Sequence, residues 1–269
     1  MTTFTTEDRL AFAPLQDRIT AWIKSYAQQA NIKSLIVGIS GGIDSAVVSA
    51  LCARTGLNTV AVTMPIRQRP DLHDLSMQQG AWLCNEFDNV CHEIIDLTST
   101  FNEFEDRLSN GCTESPRNYG NLLGFANSRS RLRMVALYQI AQSVGGIVVG
   151  TGNKVEDFGV GFYTKYGDGG VDISPIADCY KTEVWQMGRE LGVLQDIIDA
   201  APTDGLWDDG RTDQDQLGGL SYTELEVAMR MDLGEIQTDE PTMVANLLKY
   251  RTIRSRSLHK MNPIPVFKK

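Results

Sequence analysis

Apolar side chains recur at Leu15, Ile19, Trp22, Ile23, Tyr26 and Ala30, the spacing of a helix over residues 10–30 with one buried face. Ser34-Leu35-Ile36-Val37-Gly38-Ile39 follows as an uninterrupted apolar run and predicts a short, fully buried strand. Asp44 to Arg54 returns to a helical pattern that Gly56 ends. The alternation then repeats. Residues 59–63 predict a strand, and 72–87 a helix anchored by Leu72, Leu75, Ala81, Trp82 and Leu83. Glu93-Ile94-Ile95-Asp96-Leu97 predicts a third strand, 121–143 a long helix, and Ile147-Val148-Val149 a fourth strand after the break at Gly145-Gly146. Strands and helices alternating at this length imply parallel pairing, since each connection must cross back over the sheet. Short apolar strands suit a sheet covered on both faces. The expected fold class is therefore α/β, a doubly wound parallel sheet with helices on both faces, which takes its ligands at the carboxyl ends of the strands.

Beyond residue 150 the pattern loosens. Glycines crowd residues 159–170, and a helix resumes at Lys181–Leu191 with Gly192 as its stop. Residues 202–219 are polar and rich in Gly and Asp, which predicts a mobile loop. Ser221-Tyr222-Thr223-Glu224 is a capping box that opens another helix, and Pro241 suits the first turn of a further one. The chain reads as a single domain over residues 1–269. It has a helical region to residue 33, an α/β core over 34–200, the 202–219 loop, and C-terminal helices and a basic tail over 220–269.

Composition narrows the function. The chain has 269 residues, 42% of them hydrophobic, enough for one large domain. No apolar run approaches the ~20 residues that span a bilayer, and the N-terminus lacks a secretory signal pattern. Five cysteines, an odd number without C-x-x-C spacing, read as reduced thiols of a cytoplasmic protein. The scattered histidines His73, His92 and His259 offer no zinc pattern. A net charge of −9 argues against a nucleic-acid binder. It leaves room for a small anionic ligand held by a few placed cations.

The strongest chemical signal is Gly38-Ile39-Ser40-Gly41-Gly42-Ile43-Asp44-Ser45, set between a strand and a helix. Gly41 and Gly42 let the backbone turn and approach a ligand closely. Several N–H groups and the positive end of the helix can then converge on one oxyanion. Ser40 and Ser45 can add hydroxyl hydrogen bonds. No Gly-Lys-Ser/Thr follows, so this is not a Walker loop. A carboxylate, Asp44, amid an anion site makes sense chiefly if a metal bridges it to phosphate, and magnesium prefers such oxygen ligands. The bland alternative is a glycine-rich turn in which Asp44 and Ser45 act as helix caps.

S-G-G-x-D-S after a buried strand resembles the PP-loop ATP pyrophosphatases, the adenine nucleotide alpha hydrolase-like superfamily. Its members split ATP into AMP and pyrophosphate while adenylating an acceptor oxygen. Within it, the later segments are similar to ammonia-dependent NAD synthetases. Gly150-Thr151-Gly152-Asn153-Lys154-Val155-Glu156 matches their G-T-x-x-x-x-E. Phe162 to Asp172 follows F-x-T-K-Y-G-D-G-x-x-D almost letter for letter. Asn127, Arg131, Arg133 and Met134 fit N-x-x-x-R-x-R-M, and Lys181, Pro202-Thr203 and His259-Lys260 also fit. The chain departs from the commonest pattern in Asn153-Lys154, where many members have Asp-His. It also carries one extra residue between Glu156 and Gly161, a different 64–71 segment, and Met261 after His259-Lys260.

The resemblance implies a ligase of NAD biosynthesis that forms a C–N bond. ATP adenylates the nicotinate carboxylate of deamido-NAD, and ammonia then attacks the mixed anhydride. Gly38 to Ser45, Thr151, Lys181 and Thr203 would bind ATP, with Lys181 and Thr203 at its β- and γ-phosphates. Asp44 and Glu156 would hold Mg2+. Arg131, Lys165, Asp172, His259 and Lys260 would hold deamido-NAD, and Asp168 would bind ammonium and take its proton. Asp44, Ser45, Asp168 and Lys181 are the expected catalytic residues. Arg131 and Arg133 lie two apart on a helix and point to different sides; Arg131 is expected at the dinucleotide and Arg133 in an interface or surface ion pair. Each residue also has an ordinary reading: Lys181 or Glu156 as a solvated helix residue, Asp168 as part of a tight Asp-Gly turn, His259-Lys260 as solvated charge.

Nothing before residue 34 is long enough for a glutaminase, so ammonia is expected to be used directly. A homodimer is also implied, with the apolar stretches at 10–30 and 121–143 either at its surface or in the core. The competing expectations are another PP-loop enzyme, such as the ATP pyrophosphatase subunit of GMP synthetase or a tRNA-modifying member, and a nucleotide-binding regulator without turnover. The K-Y-G-D-G-G segment argues against the first group. Retention of Asp44, Glu156, Asp168 and Lys181 together argues against the second.

Overall fold

The computed structural model describes residues 13–110, 119–203, 205–206 and 212–269. The first helix, α1, is Leu15–Gln29, followed by β1 (Ser34–Gly38), α2 (Ile43–Arg54), β2 (Asn58–Thr63), α3 (Pro70–Glu86) and β3 (Val90–Ile94). Next come α4 (Thr98–Asn110), α5 (Leu122–Val144), β4 (Gly146–Val148) and a π-helical turn, Lys154–Val160. The rest is α6 (Lys181–Leu191), α7 (Gln195–Asp199), α8 (Asp213–Gln216), α9 (Tyr222–Asp232) and α10 (Pro241–Met261).

The four strands form one parallel sheet in the order β3-β2-β1-β4. A bridge between Val149 and Ile173 adds a short parallel pairing beyond β4. Strands β1, β2 and β4 are mainly buried, and alternate residues along them feed opposite faces. On β1, Leu35 and Val37 join one core with α1, α2, α6 and α7, while Ile36 joins another with Leu137 and Ala141 of α5. Helices thus cover both faces, as expected. The strand order turns back at β1, with β2 and β3 on one side and β4 on the other. The splayed carboxyl ends of β1 and β4 open the crevice where such sheets bind ligands.

Helix α2 lies at the centre. Ten of its residues are buried, from Ile43 round to Ala53, so it has no solvent face. Its small residues, Ala46, Ser49, Ala50 and Ala53, let β1, β2, α1, α3 and α6 all pack close. Gly188 of α6 is part of this fit, because a Cβ there would come within 2.7 Å of Ile43 Cδ1.

Several boundaries differ from the sequence pattern. The third strand is Val90–Ile94, displaced towards the N-terminus from 93–97. Its ladder is set by β2, where Thr59 pairs with Val90 and Thr63 with Ile94. As an edge strand it is only half covered, and the more apolar residues after it, Ile95 and Leu97, pack beyond the ladder against the α5 side. Helix α4 has no counterpart in the periodicity; only Phe101 along it is buried, with an otherwise polar sequence. In α1 the buried residues are Ile19, Ile23 and Ala27. Trp22 and Tyr26, expected on that face, are 47% and 40% exposed. Helix α8 falls inside the stretch expected to be a loop, with Thr212 as its cap. The Ser221 capping box, Pro241 at the start of α10 and the left-handed Gly192 stop are all present. Cys52 and Cys179 are buried free thiols, Cys84 and Cys91 exposed ones; Cys112 lies outside the described residues. Among the described residues no helix is long and apolar enough to cross a membrane.

Candidate active site

The Gly38–Ser45 segment turns at the carboxyl end of β1. Gly41 has φ +90°, and a Cβ there would meet the Leu72 carbonyl oxygen at 2.5 Å, so only glycine fits. Gly42 has φ −93°, and a Cβ there would meet Ser40 Oγ at an ordinary 3.5 Å, so its backbone does not require glycine. The two hydroxyls brace the loop itself. Ser45 Oγ donates to the Gly42 carbonyl at 2.9 Å and accepts from Ser40 N at 3.1 Å. No side chain caps α2, which leaves its first-turn N–H groups for an anion.

Beside this loop stands a buried cation. Lys181, the first residue of α6, is 2% exposed, and its ammonium donates to Asp44 Oδ2 and, at 2.9 Å, to Glu156 Oε1. Asp44 sits in the first turn of α2, and Glu156 in the π-helical turn. A π turn takes one more residue per hydrogen-bonded ring than an α turn, and such turns are common at functional sites. Asn153 caps it, its Oδ1 accepting from Val155 N and Glu156 N, both at 3.1 Å. The same side chain donates to Asp44 Oδ1 at 3.0 Å.

Charge follows from this arrangement. Burial pushes the Glu156 carboxyl up, but the Lys181 charge and hydrogen bonds from Tyr222, Lys181 and Asn153 together bring it below its ordinary value. Burial raises Asp44, against the pull of Lys181. Burial disfavours the charged ammonium of Lys181, yet the two carboxylates more than offset this and hold it above the usual lysine range.

On the far wall, Asp168 Oδ1 accepts from Ser130 Oγ at 2.6 Å and from Thr164 N at 3.0 Å. Both contacts fall on one oxygen. Burial among protein atoms pushes this carboxyl above the ordinary aspartate range, partly offset by those donors. The residue still opens onto the cleft water. Lys260 faces it and donates to the carbonyls of Gly161 and Tyr163, the latter at 2.8 Å. Lys165 Nζ donates to the His259 carbonyl at 3.3 Å, and Arg131 Nε to the Lys165 carbonyl at 3.2 Å.

One cleft of about 750 Å³ gathers Gly38 to Ser45, Thr151, Glu156, Lys181 and Thr203 on one side, and Arg131, Lys165, Asp168, His259 and Lys260 on the other. Asp172 is not among the residues that line it. Its carboxylate accepts from Val148 N at 2.7 Å and Tyr138 OH at 3.1 Å, clasping β4 to the segment that follows. Arg133, expected at a surface, instead lines the cleft with Arg131. It donates to the Met64 carbonyl and to Gln68 Oε1, both at 2.9 Å, and burial, with Arg129 nearby, pushes it down to about 10. Residues two apart on α5 both reach the cleft because it wraps around that helix. The sequence reading also missed Asn153, Asp157, Ser130, Asp213 and Tyr222. Asn153 had a signal, since it stood out as a departure from the family pattern.

Asp44 and Glu156 suit a magnesium ion. Two carboxylates converge on one point, and magnesium commonly uses one or two carboxylates with substrate phosphates completing its shell. Among the described residues no cluster of three or more His, Cys, Asp or Glu could hold a metal alone.

Three expectations follow for stability and binding. Lys181→Met leaves two inward carboxylates unpaired, a loss of about 3–5 kcal/mol. Urea denaturation should show it near pH 7. The gap from wild type should narrow as pH falls through the carboxylate range: without Lys181 the folded state raises both pKa values, so the penalty is present only where the carboxylates ionise. An unchanged midpoint at pH 7 contradicts the arrangement. Gly41→Ala should cost about 1–3 kcal/mol of stability through its left-handed backbone. Gly42→Ala should fold normally but bind ATP more weakly by calorimetry, because its added methyl enters the anion site.

The NAD synthase family model matches residues 15–268. An NH(3)-dependent NAD(+) synthetase of Finegoldia magna is 35% identical over 80% of this chain and 83% of its own. One of Archaeoglobus fulgidus is 35% identical over 94% of this chain and 96% of its own. Among solved structures, NMN synthetase from Francisella tularensis is 28% identical, with a TM-score of 0.81 covering 99% of this chain and 100% of that one. The fold is thus shared along nearly the full length, and the chain belongs to the NAD synthase family.

Proposed function

We propose that the cleft catalyses two successive steps on a nicotinate nucleotide, adenylation of its carboxylate by ATP and displacement of AMP by ammonia. The chain is an ammonia-dependent NAD synthetase, a ligase, like its curated relatives. The observation that carries the two-step reading is the placement of Lys181, Asp44 and Glu156 against an uncapped helix end at the reversal of strand order. Backbone N–H groups of the 40–45 turn and of the first turn of α2 receive the phosphates, and Lys181 and Thr203 add donors along them. Asp44 and Glu156 would hold Mg2+, which neutralises charge on the departing pyrophosphate. Thr151, at the end of β4, lies across the crevice near the α-phosphate. The acceptor enters from the α5 side, where Arg131, Arg133, Lys165 and Lys260 offer positive charge to its phosphates. Fixed donors and cations aimed at the place where charge develops lower the barrier without reorganisation at the moment of reaction.

Asp168 is assigned to the second step. Oδ1 is held by Ser130 and Thr164, leaving Oδ2 to take an ammonium N–H. A carboxyl above its ordinary range is a better base for that proton near neutral pH than an ordinary aspartate.

The acceptor has two readings. Deamido-NAD follows from the curated relatives. Nicotinate mononucleotide follows from the likeness to NMN synthetase, whose product is the amide of that acid. The reacting carboxylate is the same in both. A homodimer could cover exposed apolar residues of α5, where Leu122, Leu123, Val135 and Val144 are 76%, 58%, 57% and 41% exposed. Trp22 and Tyr26 of α1 form a second exposed pair.

The purified chain mixed with ATP, Mg2+, ammonium and either acid should release AMP and pyrophosphate in equal amounts with one amide product. The acid with the higher kcat/KM is the substrate. AMP release with neither acid sinks the reading by showing an acceptor-independent reaction; no AMP with either sinks it outright. Asp168→Asn should slow amide formation at least tenfold while adenylation, read by pyrophosphate exchange, stays near wild type. It should also remove the acid limb of the wild-type pH profile, where rate is lost as pH falls through the raised Asp168 pKa. Equal slowing of both steps contradicts the assignment.

A further inference from the structure

Glu156 is held by more than its own turn. The Tyr222 hydroxyl contacts Glu156 Oε1 and lies 2.8 Å from Asp213 Oδ2. Tyr222 opens α9 and is 8% exposed; Asp213 opens α8 and is 5% exposed. The tyrosine ring is fixed by Trp185, edge-on at 5.9 Å, and it lies 4.7 Å from the Lys181 ammonium. One side chain therefore touches Glu156 through its hydroxyl and Lys181 through its face.

The donors on Glu156 are unevenly placed. Tyr222 and Lys181 both reach Oε1. Two donors on one carboxylate oxygen fix the rotation of the group, and Asn153 adds a further hydrogen bond to it. Asp213 in turn restrains the hydroxyl, whose single proton is shared between two acceptors. Partners of this kind commonly govern metal affinity although they never touch the metal.

We propose that Tyr222, restrained by Asp213, is a positioning residue that orients Glu156 towards the divalent cation accompanying ATP. The inference rests on the proposed roles of Asp44 and Glu156. Helices α8 and α9 thereby act on the metal site from outside the sheet, and neither residue belongs to the motifs that mark the chain's chemistry.

The test uses the full chain with Mn2+ and α,β-methylene-ATP, an analogue that resists cleavage between the α- and β-phosphates. Mn2+ affinity is read by electron paramagnetic resonance, and binding of the metal-free analogue by calorimetry. Tyr222→Phe keeps the ring against Lys181 and Trp185 and removes only the hydroxyl. Mn2+ should bind about tenfold more weakly in the ternary complex, with metal-free analogue binding unchanged and a parallel rise in the Mg2+ concentration giving half-maximal rate. Asp213→Asn should give a smaller loss in the same direction, and it carries the test if Tyr222→Phe does not fold. Mn2+ affinity within twofold of wild type overturns the inference. An equal weakening of metal-free analogue binding also overturns it, since general loosening would produce that. If wild type itself fails to bind Mn2+ with the analogue, the metal reading falls and takes the inference with it.

Discussion

A buried ammonium between two carboxylates organises this molecule. Lys181 has almost no contact with water, so its charge is tolerable only because Asp44 and Glu156 face it. Those three residues come from three separate elements: α6, the first turn of α2 and the π-helical turn. None can move far without leaving a charge unpaired in a poorly solvated place. The surrounding polar groups follow from the same constraint. Asn153 satisfies Asp44 while capping the turn that carries Glu156, and Tyr222 takes up the remaining demand on Glu156 Oε1. The trio is self-neutralising to within one negative charge.

The sheet makes that convergence possible. Reversal of strand order at β1 separates the loops leaving β1 and β4, so the phosphate loop and the Thr151–Glu156 segment face each other across a crevice. The close approach of α6 to α2 depends on small side chains. Gly188 admits Ile43, the neighbour of Asp44, and this brings the start of α6 within reach of the start of α2. Packing in the apolar core and placement of the charged trio are thus one geometric problem.

Much of this was legible in the sequence, for identifiable reasons. Strands β1 and β2 and helices α2 and α5 are long or fully apolar, so periodicity alone marks them. The phosphate loop is legible because glycine at 41 answers a backbone need that no other residue meets. Elements whose boundaries depend on partners were not legible. The register of β3 is set by hydrogen bonds to β2, which an apolar count cannot weigh. Helix α4 buries only Phe101, too little to leave a pattern. Asp172 does not line the cleft, and its carboxylate accepts from the backbone of β4 and from Tyr138, contacts that a motif read along the chain cannot display. Tyr222 and Asp213 were hidden for a different reason: each looks like an ordinary helix-start residue, and only the fold brings them to Glu156.

The electrostatics resolve an apparent contradiction, an acidic protein that takes polyanions. With a net charge of −9 the chain has no basic field to draw nucleotides in from a distance. It concentrates cations locally and orients them with neutral acceptors: Arg133 on the Met64 carbonyl, Lys260 on Gly161 and Tyr163, Lys165 on His259, and Arg131 on Lys165. A carbonyl oxygen fixes a cation's direction without cancelling its charge, so these four remain available to an incoming phosphate. Of the described cations that line the cleft, Lys181 alone is hydrogen-bonded to carboxylates, and it stands at the proposed metal position. The division follows from what each group must do. Cations that only bind are kept ready by dipoles. The cation beside the proposed metal position is held by the same carboxylates that would hold that metal, so its charge is matched within the site itself.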